Sequence, residues 1–91
     1  MEINFTSQIW REGKMYVAYA PELDISSCGK SASEAEKNLH EAVEIFLEET
    51  KKMGTLNDIL EEAGFRVKKS KNKIYWTAPE IISIEKAHIV F

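Results

Sequence analysis

Ninety-one residues make one small domain, and with 44% hydrophobic and 30% charged residues the chain is too apolar for intrinsic disorder. A net charge of −3 gives no general attraction to nucleic acid or to anionic lipid, although a local basic patch is not excluded by a total. The single cysteine, Cys28, cannot close an internal disulfide, no run of apolar residues is long enough for a membrane span, and no charged-then-apolar leader opens the chain. A cytoplasmic protein is therefore expected, with no membrane association. Chains of this length bury only about two-thirds of their surface, so a homodimer or higher homo-oligomer is expected to complete the core.

Residues 3–10 alternate Ile3, Phe5, Ser7 and Ile9 with Asn4, Thr6 and Gln8, the period of a strand buried on one face. Residues 11–14 then read as a tight turn around Gly13, and 15–20 as the returning strand, which Pro21 terminates because it cannot donate to a ladder. A third short strand is expected over 24–28.

Residues 31–53 carry the longest apolar periodicity. Ala35, Leu39, Ala42, Val43, Phe46 and Leu47 recur at three- and four-residue steps and so fall on one stripe of a helix. Ser31 with Glu34 forms a capping box, and Ser33 with Glu36 offers the same pair two residues on. Lys51 and Lys52 suit the negative end of the helix dipole, and Gly54 suits a left-handed C-cap. A three-stranded meander with one long helix across it follows for residues 1–53.

Residues 54–91 are expected to add smaller elements to the same domain. Thr55 opposite Asp58 caps a short helix with the stripe Leu56, Ile59, Leu60 and Ala63. Residues 65–69 and 73–77 alternate about Ser70-Lys71-Asn72 as a hairpin. After Pro79, residues 81–91 read as a last strand with a phase change at Glu85-Lys86, apolar enough that pairing with a second subunit is expected to cover it. The fold class is α+β: a small antiparallel sheet covered by a long helix, then a short helix, a hairpin and a C-terminal strand.

Candidate chemistry is sparse. His40 and His88 lie far apart with no ligand spacing about them, so no metal site is expected. Cys28 has no companion motif and reads as a small buried residue at a strand end. Trp10 and Trp76 read as core or interface residues. There is no phosphate-binding glycine loop, paired-carboxylate signature or nucleophile elbow, so neither catalysis nor a cofactor is expected. Two charged features each keep two readings. Glu34, Glu41, Glu44 and Glu48 form an acidic helix strip, either solvated or a docking surface for a basic protein. Arg66, Lys68, Lys69, Lys71 and Lys73 crowd the hairpin near Tyr75 and Trp76, either to hold RNA phosphates and stack a base or to keep an edge hairpin from aggregating.

The run Tyr16-Val17-Ala18-Tyr19-Ala20-Pro21-Glu22-Leu23, followed by Gly29, the Ser31 cap, Glu34-Ala35 and Asn38-Leu39-His40-Glu41-Ala42-Val43, resembles the HicB-like antitoxin family. The likeness spans about residues 3–50. It implies a partial RNase H-like domain, and an oligomer that binds and blocks HicA, a small basic ribonuclease toxin. Tyr19, Pro21, Glu22 and Asp24 are the partner-facing corner expected from resemblance and exposure together. The family's Pro-Gly-Cys after the Pro-Glu-Leu is replaced by Asp24-Ile25-Ser26. Many members continue into a helix-turn-helix or ribbon-helix-helix, whereas this chain continues into a short helix, hairpin and strand, so the resemblance is to short members and implies no operator-DNA binding. Residues 59–76 also resemble the opening of the HicA toxin, but the toxin's glycine-serine-histidine is missing and no ribonuclease activity is implied.

Overall fold

The computed structural model describes all residues, 1–91, in the order β1 (Glu2–Ile3), β2 (Gln8–Glu12), β3 (Met15–Ala20), β4 (Ile25–Gly29), α1 (Ala32–Met53), α2 (Leu56–Glu62), β5 (Arg66–Ser70) and β6 (Lys73–Thr77). Two three-stranded sheets result. One is the antiparallel meander β2-β3-β4, and the other has the order β1-β6-β5, with β1 parallel to β6 and β5 antiparallel to it. The chain is an α+β protein.

The long helix forms where its cap and stripe place it. The Ser31 hydroxyl accepts from the Glu34 N–H at 3.1 Å, and Gly54 closes the last turn at φ +75°. Glu36 is not drawn into an alternative cap, because its carboxylate is held by the Ser7 hydroxyl and by the His40 imidazole. Along about 33 Å of helix, Ala35, Leu39 and Val43 are buried and meet Ala18 and Ala20 of β3. Alanines on the facing strand let the helix lie close. The approach is closest at Gly29, where an added Cβ would fall 2.7 Å from the Ala35 nitrogen.

A second nucleus joins Leu56 and Leu60 of α2 to Phe65 and to Trp76 of β6. Phe5, Leu23 and Leu47 pack against both nuclei and stitch the two sheets into one body.

Four expectations need correction. The strand expected over 3–10 divides in two. Its first residues pair with β6, and the stretch between turns to side-chain partners: the Thr6 N–H donates to Glu22 at 2.9 Å, and the Thr6 and Ser7 hydroxyls donate to Glu22 and Glu36. Those bonds link residues 16 to 29 positions apart, so a local alternation cannot reveal them. Thr55 makes no side-chain cap; its hydroxyl instead donates to the Thr50 carbonyl at 3.4 Å. Cys28 is exposed rather than buried, because its side chain is on the sheet face away from α1. Residues 81–91 form no strand within the protomer: 78–91 have no regular secondary structure, and Ile82 and Val90 are 84% and 86% exposed. An extended segment becomes a strand only by pairing with an edge, and residues 78–91 make no backbone hydrogen bond to any strand of their own chain.

Candidate protein-docking surface

A strand of the meander has two faces, and α1 covers one of them. Side chains alternate along β3, so Tyr16, Ala18 and Ala20 turn to the helix while Met15, Val17 and Tyr19 turn away from it. The register carries the division to the neighbouring strands. Trp10 opposes Val17 and Gln8 opposes Tyr19 on β2, and Cys28 and Ser26 oppose Val17 and Tyr19 on β4. The uncovered face therefore presents Trp10, Met15, Val17 and Tyr19 side by side. Trp10 is 40% exposed and meets the Tyr19 ring edge-on, with centroids 6.2 Å apart.

Carboxylates border this apolar patch. The Trp10 indole N–H donates to Glu12 at 2.8 Å, and the Tyr19 hydroxyl donates to Asp24 at 2.8 Å. The Asp24 carboxylate holds the phenol of Tyr19 above its ordinary value of 10.0, first by accepting a hydrogen bond from the protonated hydroxyl; desolvation and the Asp24 charge act in the same direction. Asp24 itself sits at φ +54°, a left-handed conformation that aspartate tolerates better than most non-glycine residues.

The four residues of the expected partner-facing corner divide. Tyr19 and Asp24 stand together on the outer face. Pro21 and Glu22 are half-buried in the turn after β3, and Glu22 spends both carboxylate oxygens on Thr6, a bond that ties the N-terminal segment down. Trp10, read in the sequence as core or interface, belongs to the surface, as does Val17, which the sequence reading did not single out. The signal for them is a strand that is apolar on both faces while the chain has one long helix to cover it.

The acidic strip of Glu34, Glu41, Glu44 and Glu48 is exposed on the opposite side of α1. The five cations of the hairpin do not form one patch. Arg66, Lys68 and Lys73 share a face with Tyr75, Lys69 shares the other face with Ile74, and Lys71 occupies the turn at φ +34°. Lys73 also lies 3.9 Å from Glu2 of β1. His40 bonds Glu36 at 3.0 Å and packs its ring on Phe5, and His88 is exposed in the C-terminal segment. No three His, Cys, Asp or Glu side chains gather as a metal site would require, and no helix is long and apolar enough to cross a membrane. Compared with protein-family models, with curated proteins and with solved structures, the chain finds no match.

Proposed function

We propose that this protein is a HicB-like, antitoxin-type module with a partial RNase H-like fold, which acts in the cytoplasm by covering a small basic ribonuclease of the HicA type. The observation that carries this reading is the uncovered sheet face, where Trp10, Met15, Val17 and Tyr19 are bordered by Glu12 and Asp24. Aromatic and methionine side chains are the anchors that protein interfaces favour, and a polar margin shields them from water. Acidic residues at that margin complement a basic partner, and steering by opposite charge speeds its capture. The likeness of 16–23 and 29–43 to the HicB-like pattern supplies the identity of the partner.

Titration calorimetry of the full chain against a HicA-type protein encoded beside it tests the proposal. Binding with a Kd on the order of nanomolar is expected, about −12 kcal/mol. The reading fails if the two proteins do not associate, or if Val17→Glu leaves their affinity unchanged.

A second reading has one observation in its favour: Arg66, Lys68 and Lys73 lie on one face beside Tyr75, which suits RNA phosphates and a stacked base. Under that reading Arg66→Ala with Lys68→Ala abolishes RNA retention and spares toxin binding. Retention that survives the pair removes it.

A further inference from the structure

The C-terminal segment is built unlike the rest of the molecule. Residues 78–91 make no backbone hydrogen bond to the body, and Ile82, Ile84, Ile89, Val90 and Phe91 are all at least 70% exposed. The chain leaves the body at Pro79, which lies over Gly64. The radius of gyration is 15.3 Å, against about 12 Å for a compact domain of this length, and the extents of 48 × 30 × 23 Å describe a body with a projecting arm. Five large apolar side chains on one projecting arm exceed the scattered exposure normal for a monomer.

The body offers a matching groove. Ile3 and its sheet neighbour Trp76, with Met1, Leu47, Leu56 and Leu60, line an apolar concavity of about 160 Å³ to which Glu48 and Lys51 of α1 also contribute. Trp76 is 4% exposed, yet its indole N–H has no acceptor. A buried donor left unpaired weakens the packing around it.

We propose that residues 81–91 of one copy dock in the groove between β1 and α1 of a second copy, and that the exchange is reciprocal. This inference does not rest on the antitoxin reading and uses a different surface. An eleven-residue arm reaches about 36 Å when extended, far enough to leave its own body and cross a neighbour's. A two-fold exchange uses both arms and both grooves and closes on itself, so the assembly stops at a dimer. The pairing also enlarges a small core, since 11 of 91 residues are buried in the protomer.

Light scattering on the eluting full chain, over about a hundredfold range of concentration, should give twice the 10.4 kDa protomer mass. Ile84→Glu with Ile89→Glu should weaken dimerisation at least about a hundredfold while the variant keeps the wild-type far-ultraviolet circular dichroism, because both side chains lie outside the body. A wild-type monomer throughout, or a dimer that the double variant leaves intact, overturns the proposal. The groove is tested in a Cys28→Ser background carrying Ile89→Cys or Ile84→Cys in the arm. Paired with Glu48→Cys in the groove, one of the two should yield a disulfide-linked dimer; paired with Glu41→Cys elsewhere on α1, neither should. Equal cross-linking at both helix positions, or none at Glu48→Cys, overturns the assignment of the arm to this groove.

Discussion

The Tyr19 hydroxyl donates a 2.8 Å hydrogen bond to Asp24 across the turn that joins β3 to β4, and Asp24 holds a left-handed backbone conformation in doing so. The phenol's pKa is raised by this partner. A proton bound more tightly in the folded state stabilises it fully below the unfolded value near 10, and that contribution is lost as pH rises through the higher folded value. Asp24→Asn keeps the backbone tolerance and removes the charge. In a spectrophotometric phenol titration, Tyr19 should then ionise at lower pH than in the wild type, and the share of stability lost through this group as pH rises above 10 should shrink.

Gly29 meets the start of α1 so closely that a single added carbon falls on the backbone of Glu34 and Ala35. Neither is the free end of a side chain, so the helix has to shift. Gly29→Ala should cost about 1–3 kcal/mol in denaturant unfolding, whereas Ser27→Ala on the same strand should fall within about 0.5 kcal/mol of wild type.

Lys71 occupies the hairpin turn at φ +34°, where a side chain is disfavoured. Lys71→Gly should stabilise the chain by up to about 1 kcal/mol and raise its melting temperature. It also removes one hairpin cation without touching Arg66, Lys68 or Lys73, so RNA retention through that face should persist.

Trp10 rests on the open sheet face with no helix above it. Trp10→Ala should therefore change stability far less than Trp76→Ala, which empties the second nucleus and should cost about 3–5 kcal/mol. Against a HicA-type partner the order should reverse, with Trp10→Ala weakening binding by tenfold or more, read by calorimetry.

The long helix was legible because its information is local: a serine cap, a stripe at helical spacing and a closing glycine all lie within one segment. The β5-β6 hairpin was legible for the same reason. The division of residues 3–10 was not, because it is decided by Glu22, Glu36 and β6, which the chain reaches only after folding. Of the candidate surface, Tyr19 and Asp24 were singled out in the sequence on resemblance and exposure, while Glu22, singled out on the same grounds, turns inward to Thr6. Trp10 and Val17 required the register, since only pairing tells which apolar face of a strand the helix takes.

Phe5, Leu23 and Leu47 each touch both hydrophobic nuclei. Loosening either nucleus therefore withdraws support from the other, and the meander has no way to melt while the hairpin half stays intact. The body of this chain should lose its structure in a single cooperative step, with amide protons of α1 and β6 exchanging at a common rate set by global opening.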